Sequence, residues 1–288
     1  MTPSNACFFC GWSQACQHDG RYRGHVNSFF QQGVMSFGPG TVLKVQDNNL
    51  PTDEVSNIRL VQEQTSIPVP KILGDREEED QRLVLMERIP GEPLSTVWPS
   101  LSFEQRESIA KQTAEYLLEL REIQSNRMQS LGGGPVLNNL LFADWDDSYP
   151  RGPFASDDEL WVEMERQLHD SVPEAVRERL RSRMPPATPY TFTHGDLTYS
   201  NIMVKDGCVT GIINWERAAY MPVWWESVCA SISVHGDEDE DWKIILEEYM
   251  PDYSAAYGFW RDCHYLCLDP SQVNAFEQAE REALMNGS

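Results

Sequence analysis

The sequence predicts an α+β protein of two lobes: a small, mostly antiparallel sheet lobe with one helix over residues 1–90, and a larger helical lobe over 91–288. Three observations predict it. Short strand-like runs separated by Gly, Pro and acidic turns crowd residues 33–88 around a single helical stretch. Ile89-Pro90-Gly91-Glu92-Pro93 then punctuates the chain. Beyond it helical periodicity dominates, interrupted by one hairpin-like segment at 193–216.

Taken in order, residues 33–38 and 41–46 read as two strands about Gly38-Pro39-Gly40, the second carrying Lys44. Pro51-Thr52-Asp53-Glu54 opens a helix to about residue 64, with Thr52 as N-cap and acids in the first turn, where the helix dipole favours them. That sets Glu54 one loop from Lys44. Pro68 and Pro70 break the helix, and residues 71–74 and 82–88 give two more strands flanking a solvated acidic loop at 75–80. Ser102-x-x-Gln105 is a capping box, and Ile109, Ala110, Thr113, Ala114, Leu117, Leu118 and Leu120 repeat at helical spacing to about residue 124. A long irregular stretch, 130–155, contains Gly132-Gly133-Gly134-Pro135 and has the character of a substrate loop. Ser156-x-x-Glu159 caps a helix through 169, and 174–184 gives another before Pro185-Pro186. After the hairpin segment, residues 222–233, 241–250, 253–268 and 271–284 read as helices. The acidic run 237–241 reads as dipole compensation at a helix start.

Composition narrows the partners. With 45 acidic and 23 basic residues the formal charge is −22, which disfavours nucleic acid and anionic membranes and would welcome a cationic small molecule as substrate. No apolar run reaches the ~18 residues of a membrane span, and the first residues lack a basic and then apolar signal pattern, so the expected location is cytoplasmic. Seven scattered cysteines do not make a disulfide framework. Cys7-x-x-Cys10 with Cys16 and His18 could hold zinc tetrahedrally, but its irregular spacing favours simple thiols, as does the helix-like setting of Cys263-His264-x-x-Cys267.

The chemistry concentrates in THGDLTYSNIMVKDGCVTGIINWE, residues 193–216. Two apolar runs, 202–205 and 208–213, flank Asp206-Gly207, a strong hairpin signal because both central turn positions need positive φ. The hairpin returns Asn214 towards Asp196 and Asn201, a setting for a metal, a phosphate or a proton transfer. Phosphoryl transfer asks for a lysine on nucleotide phosphates, an acid that fixes the lysine, an aspartate for the acceptor hydroxyl and oxygen ligands for magnesium. Lys44, Glu54, Asp196, Asn201 and Asn214 are candidates for these posts. Trp215, Trp224 and Trp225, with Tyr220 and Met221, form an aromatic group beside the turn that is either core or the wall of a pocket.

HGDLTYSNIMV followed by GIINWE resembles the signature of the aminoglycoside phosphotransferase/choline kinase family, whose fold is bilobal and protein-kinase-like. TSIPVPKILG, LVLMERIPGEPL and ELREIQS resemble its fungal members, and the similarity runs over residues 42–226. The resemblance implies ATP and Mg2+ as cofactors and Asp196 as catalytic base. It implies Asn201 as a magnesium ligand, Lys44 on the α/β-phosphates paired with Glu54, and a hinge for adenine at Met86, Glu87 and Ile89. His194 would hold the loop, as a histidine in a tight turn does without any family argument. Trp215, Glu216 and Trp225 are the candidates for the substrate pocket.

Two positions depart from the family pattern. No G-x-G-x-x-G precedes Lys44, and Asn214 stands where the family has the aspartate that bridges magnesium to the β- and γ-phosphates. An amide oxygen carries no charge, whereas magnesium sites rely on one or two carboxylates plus phosphates. Three explanations are open. The chain is an active kinase that compensates through Glu216, two residues on and on the same side of an extended segment. It carries an aspartate-to-asparagine change introduced to trap a complex. Or it has lost nucleotide chemistry and uses Asp196 without a cofactor, as an acid/base cyclase or isomerase of secondary metabolism, or as a non-catalytic binding protein.

Overall fold

The structure, a computed structural model, describes residues 33–37, 40–47, 53–78, 81–142, 149–232 and 237–287. The Cys7, Cys10, Cys16 and His18 set lies outside these residues.

Strands β1 (Gly33–Phe37), β2 (Thr41–Asp47), β3 (Ile72–Glu78) and β4 (Gln81–Glu87) form one antiparallel sheet in the order β1-β2-β4-β3. Lys44 lies opposite Val34 of β1 and, at the middle of the central β2–β4 pairing, opposite Val84. Side chains alternate across a strand, so Lys44 and Gln46 share a face, and both are buried. Helix α1 (Glu54–Gln64) follows, and its N-cap is Asp53 rather than Thr52: the Asp53 carboxylate accepts from Ser56 N at 3.1 Å. The acidic stretch after Gly74 is strand through Glu78 rather than loop. As an edge strand β3 tolerates charge, and Arg82 grips Asp75 through two bonds of 2.7 and 2.8 Å and Asp53 at 2.8 Å.

The connector is built into the fold. Strand β5 (Glu92–Pro93) pairs with β8 (Ile202–Lys205), which forms the expected hairpin with β9 (Cys208–Ile212). Asp206 and Gly207 have φ of 53° and 78°, as the Asp-Gly turn requires. Helix α2 (Phe103–Leu120) starts at the predicted capping box of Ser102 and Gln105 and ends four residues earlier than its periodicity suggests. Strands β6 (Gln124–Ser125), β7 (Tyr190–Thr193) and β10 (Ala219–Met221) make a small sheet that carries the 193–196 turn. The irregular stretch after Ser130 is pinned by bridges from Met128 to Phe154 and from Val136 to Arg151.

Apart from two single-turn helices, Leu94–Val97 and Asn139–Phe142, the remaining helices are α3 (Asp157–Gln167), α4 (Glu174–Arg183), α5 (Trp225–Ala230), α6 (Asp237–Glu247), α7 (Ser254–Cys267) and α8 (Ala275–Asn286). Three differ from the sequence reading. Helix α5 is one short piece of the predicted 222–233. Helix α6 begins at the acidic run itself, where carboxylates favour the first turn. Helix α8 starts later, at a capping box between Asn274 and Glu277. Among the described residues no helix is long and apolar enough to cross a membrane.

One buried cluster joins Val55, Ile58 and Val84 of the sheet region to Trp98, Ile109, Phe192, Ile212 and Trp215 of the helical region, while a second surrounds Trp161, Trp224, Trp225 and Phe259. The connector lies hard against the hairpin. A Cβ added to Gly91, whose φ is +116°, would sit 2.3 Å from the Val204 carbonyl oxygen. Gly91→Ala is therefore expected to destabilise the fold by roughly 1–3 kcal/mol, read as a lowered Tm, whereas the same change at Gly132, which faces open space, leaves Tm near the parent value.

Candidate active site

Burial normally strips charge from a lysine, but at Lys44 the Glu216 and Glu54 carboxylates more than offset it and hold the pKa above that of an ordinary lysine. Its Nζ lies 2.9 Å from Glu54 Oε2, 2.9 Å from Glu216 Oε2 and 2.8 Å from Asn214 Oδ1. Gln46, two residues along β2 on the same face, donates to Glu54 Oε2 at 2.7 Å and reaches Glu216 Oε2 at 3.5 Å. Glu54 also accepts the Trp215 backbone N–H on Oε1 at 3.1 Å. One turn along α1, Asn57 donates to the carbonyls of Trp215 and Ala218 at 2.9 and 3.2 Å. Helix α1 thereby holds both the lysine and the turn after β9. Gln46 and Asn57 were not among the sequence candidates, although strand period and helix period put them beside Lys44 and Glu54.

Asn214 and Glu216 meet at Lys44 by a route different from the extended segment the sequence suggested. Asn214 is left-handed, with φ 69° and ψ 56°, and Trp215–Arg217 is a single 3₁₀ turn. Asparagine is among the few side chains that accept this backbone readily. The turn swings Glu216 round to the ammonium that Asn214 already touches. Lysine in turn favours the ionised form of Glu216 and, although burial opposes this, keeps its carboxyl below the usual range.

Across from Lys44, His194-Gly195-Asp196 leaves β7 as a tight turn. His194 is completely buried against Trp215, the rings meeting edge-on with centroids 4.7 Å apart. Its Nε2 donates to Ile213 O at 3.0 Å and its Nδ1 accepts from Asp196 N at 3.3 Å, which requires the neutral ring. Burial, aided by the Lys44 charge, pushes its pKa down to about 4. Gly195 has φ +79°, and a Cβ there would lie 2.7 Å from Arg217 O, so the turn and the 3₁₀ segment are packed backbone to backbone. Glu226 of α5, for which the sequence carried no local signal, accepts from His194 N at 2.6 Å, and burial pushes its carboxyl up to about 7.

Asp196 sits where these parts converge. Its Oδ2 accepts from Asn214 Nδ2 at 3.1 Å, and its backbone carbonyl accepts from Asn201 Nδ2 at 2.7 Å. Burial raises its pKa to about 6, against the opposing charge of Arg217. Asn201 is further fixed by its own carbonyl, which accepts from Ile213 N at 2.9 Å. Asn214 therefore links the lysine to the aspartate, oxygen to one and nitrogen to the other.

The hinge candidates lie at the end of β4. Met86 is buried, and Glu87 is exposed and pairs with Lys71 at 3.3 Å. Ile89 packs on Gly211, where an added Cβ would fall 2.1 Å from its Cδ1. The amides of Glu87 and Arg88 already donate to Lys71 O and Gly40 O, at 2.8 and 3.0 Å. Trp215 and Trp225, taken as candidate pocket walls, are both completely buried, Trp215 with its indole N–H on Ile212 O at 2.9 Å. Trp215 belongs to the buried cluster shared by the sheet and helical regions, and Trp225 to the cluster around Trp161 and Phe259. In the Cys263-His264-x-x-Cys267 stretch the thiols are free, and burial pushes Cys267 up to about 12.

Residues 34–266 match the model of the phosphotransferase enzyme family. The chain belongs to this family. Among solved structures the chain is similar to aminoglycoside phosphotransferase APH(4)-Ia at 14% identity, covering 90% of this chain and 94% of that one with a TM-score of 0.55. It is also similar to the streptomycin–ATP–APH(2'')-IIa ternary complex, at 12% identity, 90% and 92% coverage and a TM-score of 0.52. Aminoglycoside-3'-phosphotransferase of type VIII aligns at 16% identity over 84% of this chain and 91% of that one, with a TM-score of 0.51. At these identities the likeness shows a shared kinase-like α+β fold. A search of curated proteins finds no match.

Among the described residues no group of three or more His, Cys, Asp or Glu is assembled to hold a metal. The oxygen donors of Asp196, Asn201, Asn214 and Glu216 nevertheless suit magnesium arriving with phosphates, which needs only one or two carboxylates from the protein.

The Asp196 environment has a consequence for stability. An aspartate that titrates near 3.8 when unfolded and about 6 when folded binds its proton more tightly in the folded state. Its ionisation therefore costs folding free energy, a cost absent below the lower value and complete above the higher. Asp196→Asn should raise Tm at pH 7.5, and the gain should shrink as the pH falls to about 4. Thermal melts across that range check this, and a difference independent of pH would mean that Asp196 is solvated.

Proposed function

We propose that this phosphotransferase moves the γ-phosphoryl group of ATP to a hydroxyl of a small molecule, with Asp196 as the base that orients and deprotonates that hydroxyl. The observation that carries the reading is the pairing of Lys44 with Glu54 across from an aspartate held in the His194–Asp196 turn. Lysine as a fixed cation for phosphate and aspartate as acceptor base are the two groups phosphoryl transfer needs from the chain. Asp196 has one oxygen on Asn214 and the other, Oδ1, for the acceptor; a pKa of about 6 leaves it ionised yet basic at neutral pH. Lys44 would exchange its bonds to Asn214 and Glu216 for phosphate oxygens while Glu54 keeps it in place. Asn201, fixed at both its amide nitrogen and its backbone carbonyl, would turn Oδ1 to magnesium, and the backbone of Met86, Glu87 and Ile89 would border the adenine. Magnesium, when bound, would neutralise phosphate charge as it moves to the leaving group. The charge of −22 favours a cationic acceptor.

A second reading is favoured by one observation. Asn214, an uncharged amide, bonds both Lys44 and Asp196, which suits an acid/base catalyst using Asp196 alone. Chelation by EDTA and omission of ATP would leave such an activity unchanged.

Calorimetric titration with MgATP, followed by label transfer from γ-labelled ATP to hydroxyl-bearing small molecules, separates the two. Binding heat is expected, with transfer reduced about 10²–10⁴-fold by Asp196→Asn while nucleotide binding persists. The acid limb of kcat/KM should fall near pH 6, since the ionised carboxylate is the active form. No heat at millimolar nucleotide would overturn the phosphotransfer reading.

A further inference from the structure

The asparagine at position 214 removes a negative charge from the place where a phosphate-bound cation would sit, and the atoms around Lys44 indicate where the chain keeps its substitute. We infer that Glu216, through Oε1, is the anionic ligand for the nucleotide-bound divalent cation, in place of residue 214. The inference rests on the phosphotransfer reading and adds the residue that makes it workable.

Each acidic group in the cleft can be accounted for oxygen by oxygen. Glu54 is committed at both: Oε1 to Trp215 N at 3.1 Å, Oε2 to Lys44 at 2.9 Å and Gln46 at 2.7 Å. Asn214 offers an amide oxygen, 2.8 Å from Lys44, but no charge, and its amide nitrogen lies 3.1 Å from Asp196. Asp196 keeps Oδ1 for the acceptor. Glu216 uses Oε2 alone, for Lys44 at 2.9 Å and Gln46 at 3.5 Å, and among the described residues nothing donates to its Oε1. Access points the same way: the Glu216 side chain is 20% exposed, whereas that of Glu54 is 2% exposed. A cation reaching the cleft meets Glu216 and not Glu54.

The backbone supplies the reason that residue 216 can replace residue 214. In an extended chain a shift of two residues would carry a carboxylate about 7 Å along the strand. The left-handed Asn214 and the 3₁₀ turn after it fold that distance back, so positions 214 and 216 touch the same Nζ at 2.8 and 2.9 Å. The charge is displaced in sequence and nearly stationary in space. Asn214 then has a different task, bonding Asp196 with a donor where a carboxylate would repel it.

The test is the affinity of a fluorescent ADP analogue, measured with Mg2+ and with EDTA, for the parent protein and for Glu216→Gln, Asn214→Ala and the double variant Asn214→Asp/Glu216→Gln. The ratio of the two affinities isolates the contribution of the metal. In Glu216→Gln that ratio should fall about tenfold or more, while affinity in EDTA stays level or improves because a negative charge beside Lys44 is gone. The double variant should recover the ratio, which a merely misfolded protein would not do, and Asn214→Ala should keep most of it. Metal enhancement that survives Glu216→Gln overturns this inference alone. A parent protein that binds the analogue under neither condition overturns the phosphotransfer reading and this inference with it.

Discussion

The carboxylate of Glu54, whose side chain is 2% exposed, is the group on which the site is built. One oxygen holds Lys44 and Gln46 of the central strand, and the other holds the Trp215 amide at the start of the 3₁₀ turn. A carboxylate at this depth is tolerable only while its partners are present, since removing one member of a buried pair typically costs about 3–5 kcal/mol. That penalty fixes the register of β2 against α1 and of α1 against the turn at once. Asn57 doubles the second attachment through Trp215 O and Ala218 O. The sheet region and the helical region therefore meet through a polar clamp, with the shared cluster of Ile58, Phe192, Ile212 and Trp215 around it.

The opposite wall depends on a neutral histidine. His194 can donate to Ile213 O and accept from Asp196 N only with one proton, and burial keeps it in that state throughout the neutral range. It sets the height of the Asp196 backbone against β9, while Asn201 ties the same residue to β8. Asn214 then closes the gap between the walls. Its amide offers an acceptor to Lys44 and a donor to Asp196, a pair of bonds that a carboxylate could not make to both. The two walls are thus bridged by a single uncharged side chain.

Much of the fold was legible because local rules and tertiary demands agreed. Asp206-Gly207 needs two positive φ values and has them, and the Ser102 and Gln105 capping box starts its helix as read. Boundaries failed where two local signals competed: Thr52 and Asp53 are both good caps, and the geometry of Ser56 decides for Asp53. Trp215 and Trp225 could not be assigned from sequence, since an aromatic beside a polar turn packs inward or outward according to neighbours far along the chain. That Glu216 lies on the same side as Asn214 was anticipated for the wrong reason. Strand period suggested it, whereas a left-handed residue and a 3₁₀ turn produce it. Glu226 and Asn57 act through contacts 32 and 158 residues away, which no periodicity encodes.

The central claim is that Lys44, held by Glu54, faces the phosphates of a nucleotide whose acceptor is served by Asp196. A crystal structure of the protein with a non-hydrolysable ATP analogue and Mg2+ tests it most directly. The account predicts the adenine beside Met86–Ile89, phosphate oxygens on Lys44 Nζ in place of Asn214 Oδ1, and the γ-phosphate facing Asp196 Oδ1. A complex in which Lys44 keeps its bonds to Asn214 and Glu216 while the nucleotide lies elsewhere, or in which no nucleotide binds at saturating concentration, would contradict it.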